Sequence, residues 1–261
     1  MNAIIHLPVV DMREKPSLQS KLDSQAIFGE EIQVRETFRG WFLITTSDDY
    51  SGWVKAGSFV KRDEPYPKDL QTTRLSAHVY AAPDIEYGPL LTLPYGSKLK
   101  LLDFEDQRWA KVQLPDGKEA FLQKGDAVEE LFELISFSKK FLGLPYLWGG
   151  RSSFGYDCSG FIQMLYGSMG IHLPRNARDQ ILDPHCNLVT LENLRPCDLI
   201  FWGKSESDIR HVGMCIEGSH FIHASARENK PYLRISHLND LEWSARSDAF
   251  YPFREARRLS C

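Results

Sequence analysis

A chain of 261 residues is longer than one ordinary domain, and 43% hydrophobic against 25% charged residues gives enough apolar material for more than one core. The formal charge of −4 leaves no broad basic field, which argues against nucleic acid as a partner. No apolar run approaches the roughly 20 residues that span a bilayer, so no membrane partner is expected either.

In chain order, Met1-Asn2-Ala3-Ile4-Ile5-His6-Leu7-Pro8-Val9 lacks a basic n-region and is broken by His6 and Pro8. The 5 cysteines show no CxxC pair and no framework spacing, so a reduced, cytoplasmic setting is expected. The first half alternates as short strands between turns. One set is Glu31-Ile32-Gln33-Val34, Trp41-Phe42-Leu43-Ile44 and Gly52-Trp53-Val54; the next is Lys98–Leu102, Trp109–Val112 and Ala120-Phe121-Leu122. Phe28-Gly29 against Tyr95-Gly96, and Trp41 against Trp109, keep register to within one residue, which implies two copies of one small barrel. Arg62–Lys68, polar and interrupted by prolines, reads as the linker. Trp41, Trp53 and Trp109 are expected in the barrel cores.

After Gly125-Asp126 the pattern turns helical, with Leu131, Leu134, Ile135, Ser138 and Phe141-Leu142 on one face and Gly143 and Pro145 ending the run. A loop, Tyr146-Leu147-Trp148-Gly149-Gly150, follows. Cys158, Phe161, Ile162, Leu165 and Met169 then define a second helix, with Asp157 as its N-cap and Gly170 as its stop. From Asp198 the chain alternates as strands: Leu199–Trp202, His211–Ile216 and Phe221–Ser225. An α+β domain over the second half is the expectation.

Cys158 is the candidate nucleophile. A helix N-terminus carries partial positive charge and free N–H groups, so a first-turn cysteine is expected to have a lowered thiol pKa and nearby donors for an oxyanion. A buried cysteine can also be a plain small hydrophobe; the helix start, the preceding glycines and two later histidines favour the nucleophile. Cys186, Cys197 and Cys215 read as packing or turn residues, and Cys261 is terminal. His211 opens a strand and fits a general base; His223, on the next strand, fits the residue that orients it. A strict hairpin pairing 217 with 220 puts these histidines on opposite faces, so a three-residue loop or a bulge is expected. His211, Cys215, His220 and His223 lack helical spacing and completing ligands for zinc, so no metal and no cofactor is expected. Ser159 lacks the Gly-x-Ser-x-Gly frame of a serine nucleophile.

Residues 130–261 resemble the NlpC-type cell-wall peptidases, papain-like cysteine hydrolases of murein peptides. The resemblance is carried by Pro145–Gly150, Tyr156–Phe161, Leu173-Pro174-Arg175, Asp198–Phe201, His211-Val212-Gly213 and Phe221–Ser225, in family order. It implies Cys158 as nucleophile, His211 as base and His223 as third residue. Tyr146 then helps line the oxyanion site, and Asp157 and Ser159 line the substrate cleft; Trp148, from its loop position beside the nucleophile, is expected to wall the cleft. Residues 1–62 and 68–128 resemble bacterial SH3-like domains, most clearly at Gln25–Glu30 and Tyr50–Val54.

The expected fold is therefore an α+β papain-like domain preceded by two small all-β SH3-like barrels. The whole layout is similar to the γ-D-glutamyl-L-diamino-acid endopeptidases. These cut L-Ala-γ-D-Glu from L-Lys or meso-diaminopimelate and require a free N-terminal L-Ala. In that subfamily the first SH3-like domain covers one end of the cleft and presents an acid and a tyrosine to the substrate's ammonium. The matching positions are Asp23, one methylene shorter than the usual glutamate, and Tyr50. Asn176-Ala177-Arg178 departs from the small hydroxylated residues common there. The expected protein is a monomeric, cytoplasmic enzyme of murein-peptide recycling. The competing readings are a secreted wall hydrolase whose SH3-like domains bind murein, and a non-catalytic murein-binding protein.

Overall fold

The computed structural model describes residues 1–127, 133–205, 207–244 and 252–259; Leu131, the expected boundaries at 128 and 130, and Cys261 lie outside them. The chain divides into two compact units, Met1–Leu131 with Ser152–Phe154, and Phe132–Arg151 with Gly155–Cys261. Among the described residues no helix is long and apolar enough to cross a membrane.

The first unit holds two antiparallel sheets. Strands β1–β7 are Asn2–Ile5, Val9–Arg13, Leu22–Ile27, Glu31–Phe38, Trp41–Thr45, Ser51–Lys55 and Phe59–Lys61. Strands β8–β13 are Leu70–Gln71, Ser76–Tyr80, Leu91–Pro94, Lys98–Asp103, Trp109–Gln113 and Glu119–Gln123. The strand orders are β3-β2-β6-β5-β4-β1-β7 and β10-β9-β13-β12-β11-β8, so the second repeats the first strand for strand, without the terminal β7. The landmark glycines occupy matching turns, Gly29 at φ 78° and Gly96 at φ 83°.

Each sheet buries alternate residues on one face, as period-2 geometry requires. Ile5, Val10, Met12, Ile32, Ile44 and Val54 fill the first core, and Val79, Leu93, Leu99, Val112 and Leu122 the second. Phe28 crosses over: it leaves the first repeat and is buried in the core of the second, while its carbonyl accepts Lys98 N–H at 3.1 Å. Trp41 and Trp53 correct the expected aromatic core, since both are only half-buried and lie outside the aliphatic cluster. Trp109 is buried, edge-on to Tyr80 at 5.3 Å. The 62–68 segment is more than a polar connector. Tyr66 within it is fully buried, its hydroxyl donates to Gln113 O at 2.6 Å and accepts from Lys100 N at 3.0 Å. Burial pushes that phenol up to about 12.

The second unit contains α1 (Leu134–Lys139), β14 (Arg151–Ser152, of which Arg151 belongs here), β15 (Gly155–Tyr156), α2 (Cys158–Gly167) and α3 (Ala177–Gln180). Its strands continue as β16 (Cys186–Val189), β17 (Leu199–Gly203), β18 (Ile209–Glu217), β19 (His220–Ser225), β20 (Tyr232–His237) and β21 (Phe253–Leu259). Helix α1 is shorter than its apolar pattern, which runs on through turns to Gly143. The sheet is antiparallel in the order β16-β21-β17-β18-β19-β20, with α2 against β18 and β19. All five residues of the central β17 are buried, the pattern of a strand covered on both faces.

Strand β21 escaped the sequence reading because Phe253-Arg254-Glu255-Ala256-Arg257-Arg258-Leu259 is dominated by charge. Two of its arginines, Arg257 and Arg258, are neutralised locally. Arg258 grips the buried Asp198 through two bonds of 2.7 Å, and Arg257 meets Glu255 at 3.0 Å. Asp198 also accepts Arg195 N–H at 2.7 Å, so the acid that opens the Asp198–Phe201 motif is a structural clip.

Candidate active site

Cys158 is the first residue of α2. Asp157 caps that helix through its side chain, accepting Gly160 N–H at 2.7 Å. The carboxylate does far more than cap. Its Oδ2 accepts Gly149 N–H at 3.0 Å, and buried Arg175 closes on both oxygens at 3.0 and 2.7 Å. Ser159 Oγ donates to Asp157 at 3.3 Å and accepts from Arg175 at 3.0 Å. Through these bonds Asp157 and Ser159, the residues expected along the substrate cleft, also lock the loop to the helix. Arg175 was missed as a site residue. The available signal was a lone arginine in the Leu173-Pro174-Arg175 stretch, beside a helix that carries an unpaired acid. Gly160 completes the lock, since a Cβ there would lie 2.3 Å from Gly150 O.

The partner histidines come from β18 and β19. Pairing runs Met214↔Ile222 and Cys215↔Phe221, then shifts to Glu217↔His220, so a bulge at Ile216 accompanies the two-residue turn. That extra residue returns His211 and His223 to one face, as the sequence required. His211 Nε2 lies 2.8 Å from His223 Nδ1, and His223 Nε2 lies 3.0 Å from Ser236 Oγ on β20. Gly213 makes the approach possible, because a Cβ there would stand 2.8 Å from the Phe221 ring and 3.3 Å from His223 Cβ. Helix α2 packs on the same two strands, and the Cys158 thiol sits within hydrogen-bonding reach of the Val212 backbone N–H, next to His211.

Aromatic rings enclose the histidines. Trp243 lies against His211, with ring centroids 4.6 Å apart and planes 33° apart, and edge-on to His223 at 4.8 Å. Trp202 approaches His211 at 5.5 Å, and its indole N–H donates to Trp243 O at 2.9 Å. Neither tryptophan was singled out from sequence. This enclosure disfavours the charged form of both rings. Burial lowers His211 to about 3 and also lowers His223, with the arginine charges of Arg227 and Arg234 adding to it at His211. Burial pushes the Cys158 thiol up to about 12, reinforced by the Asp157 charge and opposed by the Val212 N–H and Arg175. The expected lowering of the thiol by the helix tip is thus reversed, because desolvation outweighs the partial charge. Burial therefore favours the uncharged form of both the Cys158 thiol and the His211 imidazole.

Tyr146 and Trp148 lie on the loop before α2. Tyr146 is half-buried, its N–H donates to Pro231 O at 2.8 Å, and it bridges to Tyr156; Trp148 is 54% exposed. Asp23 and Tyr50 belong to the first unit. They meet each other there, the Tyr50 hydroxyl donating to Asp23 Oδ2 at 2.7 Å, with Lys21 Nζ at 3.7 Å from the other carboxylate oxygen.

A cysteine at a helix start, packed on an antiparallel sheet that supplies a histidine pair, defines a papain-like cysteine peptidase. The sequence comparisons give the family. Residues 143–250 match the NlpC/P60 family, and residues 12–59 match the bacterial dipeptidyl-peptidase SH3 domain. Over 236 residues the chain is 31% identical to the gamma-D-glutamyl-L-lysine dipeptidyl-peptidase of Bacillus cereus (strain ATCC 10987 / NRS 248), covering 80% of this chain and 69% of that relative. It is 30% identical over 221 residues to the Bacillus subtilis (strain 168) protein of the same name, covering 78% and 72%. A solved NlpC/P60 family protein from Bacillus cereus ATCC 10987 superposes with a TM-score of 0.82 at 25% identity, over 99% of both chains. The chain belongs to the NlpC/P60 family of cysteine peptidases, and it is a cell-wall peptidase preceded by SH3-like all-β structure.

Proposed function

We propose that this enzyme hydrolyses the amide between γ-D-Glu and L-Lys or meso-diaminopimelate in murein peptides with a free N-terminal L-Ala, releasing L-Ala-γ-D-Glu. The observation that carries the chemistry is the buried His211–His223 pair beside the Cys158 helix. The names of the two Bacillus relatives, matched over 80% and 78% of this chain, support the substrate.

In the proposed reaction Cys158 Sγ attacks the amide carbonyl carbon as its proton passes to His211 Nδ1. His211 Nε2 is already committed to His223. The oxyanion takes backbone N–H groups at the tip of α2, with the Tyr146 hydroxyl as a further donor. Collapse breaks the C–N bond, and the departing amine takes the proton from His211. Water, deprotonated by His211, then cleaves the thioester, frees the dipeptide and restores the thiol. In this reading charge separates between thiol and imidazole as substrate arrives, in keeping with the direction in which burial shifts both groups. Trp148 is proposed as a wall of the substrate cleft.

Asp23 and Tyr50 form a hydrogen-bonded carboxylate and phenol of the kind an ammonium accepts, and they are the proposed recognition pair for the free L-Ala amine. That requirement excludes intact wall, where L-Ala is joined to muramic acid, and suits a monomeric cytoplasmic enzyme of peptide recycling. Mass spectrometry of products from L-Ala-γ-D-Glu-L-Lys, its meso-diaminopimelate counterpart and their N-acetyl forms tests the reading. Release of L-Ala-γ-D-Glu from the free-amine peptides alone supports it. Equal cleavage of the acetylated forms removes the Asp23–Tyr50 assignment and favours a wall hydrolase. No cleavage, together with a Cys158 inert to iodoacetamide, removes catalysis by this thiol.

A further inference from the structure

The histidine pair continues into a third group. His223 Nε2 lies 3.0 Å from Ser236 Oγ, and both side chains are buried. The register explains why they meet. His223 pairs with Arg234 and Phe221 with Ser236, so Ser236 sits diagonally from His223 on the same face of the β19–β20 ladder. We propose that Ser236 is a positioning residue for the catalytic base, fixing through His223 the nitrogen on which His211 carries its hydrogen. This rests on the assignment of Cys158 and His211 as nucleophile and base.

A neutral histidine as third residue poses a problem that an asparagine or a carboxylate does not. Either ring nitrogen can hold the hydrogen, so His223 by itself cannot decide the direction of its bond to His211. If His223 carries hydrogen on Nδ1, it donates to His211 Nε2; the His211 hydrogen then resides on Nδ1, which cannot take the thiol proton. If His223 carries it on Nε2, its Nδ1 accepts from His211 Nε2–H and leaves His211 Nδ1 as a free base. The charged intermediate forces the second arrangement, since an imidazolium has hydrogen on both nitrogens and must donate from Nε2. His223 Nε2–H then needs a buried acceptor, and Ser236 Oγ stands in that position.

The surroundings keep the charge where it is used. Arg234, buried directly opposite His223, donates to Ser225 O at 3.2 Å and Lys230 O at 2.9 Å, and its charge opposes a second positive group on His223. Among the described residues the rings of Trp202, Phe221 and Trp243 also lie against the pair, and the charge of Arg227 is felt at His211. The proton taken from the thiol therefore stays on His211, with Ser236 as the neutral end of the relay.

Side-chain ¹⁵N NMR of the full chain, paired with kinetics on L-Ala-γ-D-Glu-L-Lys, tests the assignment. The wild type should show His211 and His223 both as Nε2–H tautomers. Ser236→Ala should move hydrogen to Nδ1 of either ring and lower kcat between about 5- and 100-fold, the cost of one buried unmet donor, with KM unchanged. Ser236→Thr keeps the hydroxyl and should recover most of both. A wild-type spectrum with His223 protonated on Nδ1 overturns the proposal, as does a Ser236→Ala variant with an unchanged spectrum, whatever its kcat. If the peptide is no substrate, the proposed function fails while the nitrogen spectrum still decides the role of Ser236.

Discussion

Replacing Arg175 by methionine isolates the loop-to-helix lock. The guanidinium and the Asp157 carboxylate share two bonds, of 3.0 and 2.7 Å, with the side chains 1% and 12% exposed, so solvent screens the pair very little. Removing one partner of a buried pair costs roughly 3–5 kcal/mol, because the remaining charge is stranded. Asp157 would keep Gly149 N–H, Gly160 N–H and the Ser159 hydroxyl, which places Arg175→Met near the lower end, about 3 kcal/mol. Urea unfolding followed by tryptophan fluorescence, fitted with separate transitions for the two units, reads this directly. The melting temperature of the second unit should fall by roughly 10 °C. Activity should fall as well, because Cys158 stands on the first turn that Asp157 caps. Combining Arg175→Met with Asp157→Ala should cost less than the two changes summed, since the second removes the stranded charge. A loss below about 1 kcal/mol, or strict additivity in the double variant, would refute the stranded-charge argument.

Three further outcomes follow from the same geometry. Alkylation of free enzyme by iodoacetamide should climb about tenfold per pH unit from pH 6 to 9, because a thiol raised to about 12 is mostly protonated there; a plateau from pH 5 upward would mean a preformed thiolate–imidazolium pair and contradict the burial argument. Gly213→Ala should cost about 1–3 kcal/mol of stability and lower kcat on the order of tenfold to a hundredfold, because the added methyl meets Phe221 and His223; a wild-type kcat would show that the strands yield freely. Tyr66→Phe should destabilise the first unit by about 1–2 kcal/mol in the urea transition without changing kcat, as it strips the hydroxyl from Gln113 O and Lys100 N–H; an unshifted transition would show that the 62–68 segment is only a connector.

Much was local enough to read from the chain alone. Helix α2 announced itself through Asp157, the apolar spacing after Cys158 and the stop near Gly170, because capping and periodicity are properties of neighbouring residues. The duplicated barrel was visible for the same reason: each repeat carries its own turns and alternation, and the strand orders match. Even the bulge at Ile216 was implied, since two histidines meant to meet must share a face. The thiol pKa was not legible, because burial is a sum over distant segments and here outweighs the helix tip. Arg175 was given no role and Ser236 drew no attention, because their partners lie far along the chain or across a strand. Phe28 looked like one barrel's own residue, yet it fills the core of the other. Sequence by itself determined which groups could react and which elements carry them. Tertiary structure decided their burial, their neighbours and which of their ring nitrogens meet, because desolvation and hydrogen-bond geometry exist only once separate segments are brought into contact.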